Sequence, residues 1–565
     1  MPGMHPERKQ QADQVKDTAE LPVRQRRSRV ARVVIWAGFA AFLVVAGFFV
    51  VGAIYFRRAE PILRARVIET LSTRFDSRVE LASFGVSVFH GFEVEGGGLK
   101  LYPRRLEMGQ PLFSVDKFSF RTGWRDLLRT PMHIGQVQIT GLVINMPPKD
   151  QRRNMPKLDK GGSKPGKIQI LVEELLIDNA TLILGTNKPG KVPLDFEISK
   201  LRLTSVGSGQ PMRFHAVLVN PKPVGNIDSS GDFGPYNTQS PGDTPVRGQY
   251  TFSHADLSTL KGIGGILSST GVYQGTLNNI EVNGETDTPD FRLTTANYPM
   301  PLHTKFHAIV DGTNGDTHLL PVDAMLAHSH IVASGDVVRA HGVRGHDIAL
   351  DVTVSPARID DMLRLGVKTE PPIMTGNLVM HTKLHLPAGE GTVVDRLHLK
   401  GSFQITNAHF TSEKIQSKVD ELSLRGQGKP KEAKEDAHPN IASEMSGDFE
   451  LGAQKITISN LHYQVPGAQV EMNGTYSLDG SQFDFKGDAR LQAKVSEMVT
   501  GWKSWALKLA DPLFMKHGAG TEVPIEITGT RSEPHFGVEW GKVFGHKDKA
   551  NGQNGGAPGQ AQPQQ

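Results

Sequence analysis

The residues best suited to chemistry in this chain are its 21 histidines and a few glycine-rich stretches. Two histidine pairs invite a metal reading, His303 and His307 within HTKFH, and His328 and His330 within HSH. On an extended strand the first pair stands about 13 Å apart, too far to share an ion. The second stands about 7 Å apart, and no carboxylate follows it at ligand spacing. Both pairs read as solvated strand histidines. Gly162 to Lys167 approaches a phosphate-binding loop, but it is one residue short, and Ile168 stands where Ser or Thr would hold magnesium. Gly96-Gly97-Gly98 and Gly262 to Gly265 read as loops with no nucleotide fingerprint after them. A Gly-x-Ser-x-Gly nucleophile elbow is absent. So is cysteine, which removes disulfides and thiolate metal sites. The reading is a protein that is not an enzyme, with no catalytic, metal or cofactor-binding residue.

The elements around these residues carry the stronger signal. Val33 to Phe56 holds no charged residue and is bracketed by Arg29, Arg32, Arg57 and Arg58. It is long enough to cross a bilayer as one helix and exceeds the apolar core of a cleaved signal peptide. The best small-x-small site, Val51-x-Ala53, is weak, so the expectation is a retained anchor. Arg24, Arg26, Arg27, Arg29 and Arg32 favour a cytoplasmic N-terminus; Arg57, Arg58, Arg64 and Arg66 dilute that bias. Long domains translocate largely regardless of charge, which puts the bulk outside the cytoplasm. Hydrophobic content of 38% suffices for a packed interior, and a net charge of +4 is too small to imply a nucleic-acid partner.

After the anchor, Ile62, Leu63, Val67, Leu71 and Phe75 recur near helical spacing, with Pro61 in the first turn. From about Val79 the period becomes two. Ile348, Leu350, Val352 and Val354 alternate with Asp347, Ala349, Asp351 and Thr353, and Val523, Ile525 and Ile527 alternate likewise. Such strands have one buried and one wet face. Turn pairs including Asn283-Gly284, Asp311-Gly312 and Asp479-Gly480 punctuate the runs. Little between 80 and 490 reads as helix, apart from one short turn around Asp360 to Leu365. Three echoes suggest repetition. Ile280-Glu281-Val282 leads to Gly284, Pro289 and Phe291 as Ile525-Glu526-Ile527 leads to Gly529, Pro534 and Phe536. Gly248/Tyr250/Phe252/Leu257 is matched by Gly401/Phe403/Ile405/Phe410 and Gly447/Phe449/Leu451/Ile456, and HTKFH at 303–307 by HTKLH at 381–385. Twenty or more strands must split, close or curl; about 25 stacked at ~4.8 Å would extend roughly 120 Å. Near the end, Val495, Met498, Trp502, Trp505 and Leu509 lie on one apolar stripe that Asp511-Pro512 stops. It is either a helix capping the β-structure or an interfacial membrane helix.

This plan resembles the AsmA-like family of bacterial envelope proteins. RARVIETLSTRFDSRVELASFGVSVF, at 64–89, is similar to the family's start, and GAGTEVPIEITGTRSEPHFGV, at 518–538, to its C-terminal end, with Pro524, Gly529-Thr530 and Pro534 in matching places. The resemblance implies a mainly β fold: one transmembrane helix, then an elongated, curled antiparallel groove with a few short helices. It also implies an inner-membrane protein that handles phospholipid between inner and outer membrane and supports outer-membrane assembly, with an outer-membrane or periplasmic protein as a further partner. The expected organisation is a disordered cytoplasmic tail (1–32), transmembrane helix (33–56), helical lead-in (57–78), periplasmic β-groove (79–493), amphipathic helix (494–511), C-terminal β segment (512–545) and disordered tail (546–565). The candidate groove lining is Ile348, Leu350, Val352, Val354, Val523, Ile525 and Ile527, though alternation alone leaves open which strand face lines the interior. The alternative function is a non-enzymatic periplasmic scaffold that regulates protein targeting to the membrane.

Overall fold

A computed structural model describes residues 60–538 except 88–91, 105–108, 128, 130–131, 149–150, 152–169, 188–191, 208, 238, 341–342, 344, 369, 435–438, 480, 499–520 and 531–532. The expected anchor at 33–56, both tails, the Gly162–Lys167 stretch and most of the helix expected at 494–511 fall outside these residues. Among the described residues, no helix is long and apolar enough to cross a membrane.

The described chain is mainly β, a single 25-stranded sheet. Helix α1 (Glu60–Arg74) leads into β1 (Ser77–Glu80) and β2 (Ser83–Ser87), which both pair with β3 (Phe92–Pro103). Strand β3 is followed by β4 (Phe113–Thr122), the single-turn helix α2 (Trp124–Leu127), β5 (Met132–Met146) and β6 (Ile170–Leu184). The β5–β6 pair is parallel and every other pair is antiparallel. Thereafter the strands pair in sequence order as a meander, with one exception. It runs through β7 (Leu194–Val206), β8 (Met212–Pro221), β9 (Val224–Phe233), β10 (Pro245–Asp256), the two-residue β11 (Ile263–Gly264), β12 (Ile266–Thr276) and β13 (Asn279–Leu293). The exception is that β10 pairs with β12 and the short β11 pairs with β13. It continues through β14 (Met300–Val310), β15 (Thr317–Leu326), β16 (Ser329–Arg339) and β17 (His346–Arg358). Helix α3 (Ile359–Gly366) leads to β18 (Met374–Leu386), α4 (Val393–Arg396) to β19 (His398–Phe410), and α5 (Glu413–Gly426) to β20 (Ser443–Gly452). Strands β21 (Lys455–Val465), β22 (Ala468–Ser477), β23 (Phe483–Leu491), β24 (Thr521–Gly529) and β25 (Pro534–Val538) complete it.

The sheet is long, open and curled. Register shifts bend many strands, among them Val354/Ala357 in β17 and Ile405/Ala408 in β19, since a bulge adds local twist and turns the strand. Curling brings distant connections together: a Cβ built on Gly262, just before β11, would lie 2.8 Å from Val393 of α4.

Local sequence explains the helices. Val67 and Leu71, four residues apart, put one face of α1 into the core, and the Arg64 guanidinium donates to the Leu81 carbonyl at 2.8 Å. The short turn expected near Asp360 is α3, anchored by the buried Asp361 carboxylate, which accepts from the Ser329 hydroxyl and the His328 amide, each at 2.9 Å. Helix α5 corrects the expectation that 80–490 is nearly free of helix. Its signal was present, since Ile415, Val419 and Leu422 recur at helical spacing. Its buried Asp420 accepts from the amides of Ile441 (2.8 Å) and Asn440 (3.2 Å) and so fixes the return to β20. The two glycine runs expected as loops are corrected in part: Gly96–Gly98 lies within β3 and Gly264 within β11, while Gly262 and Gly265 lie outside the strand on either side. In β3, Gly98 takes φ +65°, and the Phe118 ring occupies the space above Gly96, so any side chain there would collide.

Candidate functional site

Residues paired across a sheet point to the same face, so the register can be followed from strand to strand. Starting at Val86, the pairs run Val94, Phe120, Val137, Leu175, Leu203 and Phe214. They continue through Gly231, Gly248, Tyr273, Val282, Ala308 and Leu319. They end through Gly335, Leu350, Leu384, Leu399, Leu451, Ile456, Tyr476 and Phe483. This row crosses the sheet from β2 to β23 without one charged side chain. Shifted by one residue along the strands, the opposite face reads Glu93, Arg121, Gln136, Glu174, Thr204 and Arg213 at one end of the sheet. At the other it reads Asp351, Lys383, Lys400, Glu450, Thr457, Thr475 and Asp484. The sheet is therefore amphipathic along nearly its whole length.

The seven candidate lining residues lie on the apolar face. Ile348, Leu350, Val352 and Val354 alternate on β17 with no bulge between them. The pairs from Val352 run through Thr382, Gly401, Phe449, Ile458, Gly474 and Phe485 to Ile527, and Val523 and Ile525 share that face of β24. The register thus puts all seven on one continuous face of the sheet. Leu384, Leu399 and Tyr476 belong to the same face and were missed, although β18 alone displays the alternation in Leu378, Met380, Thr382, Leu384 and Leu386. Of the expected interfacial helix, Trp502, Trp505 and Leu509 lie outside the described residues; Val495 begins a 3₁₀ turn, Val495–Glu497, and Met498 is buried.

Two regimes divide the apolar face. From Val94 to Leu203 the row is at most 6% exposed, because Phe92, Phe118, Ile177 and Val67 and Leu71 of α1 fill the interior of β1–β7. The first strands of the stretch expected as groove bury their apolar face in one core cluster. From Phe214 onward the row is mostly half-buried. Hydroxyls on this part of the face are paired with one another, Tyr250 with Ser269 at 3.0 Å, Tyr273 with Ser229 at 2.9 Å, and Thr286 with Thr304 at 2.6 Å. Burial pushes the Tyr250 and Tyr273 hydroxyls above their ordinary range, partly offset by those serines. Self-satisfied hydroxyls leave an apolar surface compatible with hydrocarbon.

Several of the described strand histidines sit against carboxylates. His307 pairs with Glu281 at 2.9 Å, His385 with Asp347 at 3.0 Å, and His330 with Asp323 at 3.1 Å. Among the described residues no group of three or more His, Asp or Glu side chains is arranged to hold a metal. One surface depression, about 460 Å³, is an open polar hollow bordered by His381, Ser402, Gln404, Asp448 and Asn460. His381 faces the Thr353 hydroxyl at 3.1 Å there, and Asn460 donates to Asp448 at 3.0 Å. Compared with family models, curated proteins and solved structures, the chain has no match.

Proposed function

We propose that this chain is a membrane-tethered, lipid-handling protein of AsmA-like type, whose apolar face carries phospholipid acyl chains between inner and outer membrane in support of outer-membrane assembly. On this reading the anchor at 33–56 holds it in the bacterial inner membrane, N-terminus cytoplasmic and sheet periplasmic. The observation that carries it is the charge-free row, mostly half-buried from Phe214 to Phe483 and backed by a charged outer face. A two-tailed lipid has about 30 methylenes, and exposing them to water costs about 0.8 kcal/mol each, or roughly 24 kcal/mol. A continuous apolar face removes most of that cost while the headgroup stays in water. With no charged side chain along the described row, it holds lipid without a single tight site, which suits movement along it.

The test is a photocrosslinking residue at Leu350 or Ile525, facing inward, compared with Asp351 or Glu526, facing outward. Phospholipid adducts are expected from the inward pair alone, and no adduct from either face would sink the proposal. The solid core of β1–β7 favours a second reading, a scaffold that holds a protein partner. That reading expects protein adducts, free of lipid, at the same inward positions.

A further inference from the structure

The apolar face differs at its two margins. At one margin the connections between β17 and β22 run through α3, through α5 and through 466–467. The row nearest them reads Ala357, Leu378, Ile405, Met445, Tyr463 and Val470. Ala357, Leu378, Ile405 and Val470 are 6, 2, 4 and 2% exposed. Met362 and Leu363 of α3 pack against the first part of this row and Leu422 of α5 against the last. The margin is dry enough that burial pushes the Tyr463 hydroxyl up to about 12, with the nearby Asp420 acting in the same direction. The other margin carries the connections from β18 to β19, from β20 to β21 and from β22 to β23, with the single-turn α4 in the first. Toward it, on the same strands, Leu350, Leu384, Leu399, Ile456, Tyr476 and Phe483 are half-buried, and Leu451 alone in that row is buried, at 6% exposed. The two rows are six to seven residues apart along each strand, about 20 Å.

We infer that the groove holds a diacyl lipid one way round, chain ends toward the margin covered by α3 and α5, headgroup toward the margin of tight turns. This rests on the lipid-handling reading and adds a direction to it. One leaflet of a bilayer has about 15 Å of hydrocarbon, half of its ~30 Å core, so an extended chain laid along a strand fits between the covered row and the open one. A chain pointing the opposite way would press a hydrated headgroup onto Leu378, Ile405 and the buried sides of two helices, stripping its water without replacing its hydrogen bonds. The occupant is argued from that length match, from the absence of charge on the face, and from the bilayer-length apolar run at 33–56 that precedes α1.

The full-length unmodified protein is reconstituted into phosphatidylethanolamine vesicles that contain one of two photoreactive analogues. One carries a diazirine at the acyl terminus, the other at the headgroup, and adducts are mapped to residues by mass spectrometry. The acyl-terminal probe is expected to label 359–380, 405–426 and 463–470 several-fold more than 384–399 and 476–483, and the headgroup probe the reverse. If both probes label the two margins equally, or the pattern is inverted, the orientation is overturned while the lipid reading stands. If neither labels the apolar face, both fall.

Discussion

Leu399 and Lys400 are neighbours on β19 that face opposite ways, Leu399 between Leu384 and Leu451 on the apolar row, Lys400 between Lys383 and Glu450 on the charged one. Replacing Leu399 by Asp puts a charge into an otherwise charge-free path. If on the order of four methylenes of a passing chain lie against that position, losing their cover costs about 3 kcal/mol. Added to the barrier, that slows passage by on the order of 100-fold. The cost to folding is smaller. Leu399 is half-buried, so about 1 kcal/mol of transfer free energy is lost, against a stability of about 5–15 kcal/mol for an ordinary domain. Lys400→Gln is the control. Its 3.8 Å pair with Glu450 joins two well-exposed side chains, and such a pair contributes at most about 1 kcal/mol. The assay is transfer of fluorescent phospholipid from donor vesicles bearing the full chain to acceptor vesicles, with thermal unfolding run in parallel. Leu399→Asp should transfer far more slowly than Lys400→Gln at nearly unchanged melting temperature. Equal rates for the two variants, with both folded, would refute the idea that the apolar row is the path.

The division of the apolar face into a solid base and an open stretch predicts unequal costs for similar truncations. Phe92→Ala, at a fully buried ring in the base, should lose about 3–5 kcal/mol, whereas Phe483→Ala, half-buried at the open margin, should lose about 1 kcal/mol; urea unfolding distinguishes them. The ionisable groups predict opposite slopes of stability with pH. The Asp323 carboxylate, joined by the Ser355 carbonyl, raises His330 above its ordinary value, so its contribution is complete below about pH 6.5 and fades as pH rises through the raised value. Asp311, Asp395 and Asp479 are held below theirs, chiefly by the Thr313 and Thr392 hydroxyls and the Ser481 amide, so theirs is present above about pH 4 and lost on further acidification. Asp323→Asn should return His330 toward about 6.5 in a histidine-resolved NMR titration; an unmoved midpoint would show that Asp323 is not the cause.

How far the sequence could be read depended on what each signal encodes. Period-two alternation states which residues of one strand share a face, and it did so correctly for β17 and β24. It cannot carry a face across a bulge, where the parity changes: Val354 and Ala357 stand three apart on β17, yet their partners Met380 and Leu378 stand two apart on β18. Only pairing resolves that, and pairing is a long-range property. The echoes divide along the same line. In HTKFH and HTKLH the Thr and the Phe or Leu turn inward while the first His and the Lys turn outward, because each motif lies on a strand with one dry face. The echo from Ile280 to Phe291 and from Ile525 to Phe536 has identical spacing but not identical structure. The first is one bulged strand, β13, and the second is a hairpin, β24 and β25. Pro289 follows Thr288 at the bulge of the first, where a missing N–H is tolerated; Pro534 opens a new strand in the second. The same residues satisfy both demands, so spacing alone does not distinguish them. Exposure was the least legible property. Phe120 and Phe483 occupy the same row of the same face, and nothing local in either sequence tells that one is sealed and the other half open. Phe120 lies in the core cluster that α1 and strands distant in sequence build together, and such long-range packing leaves no local mark in the sequence.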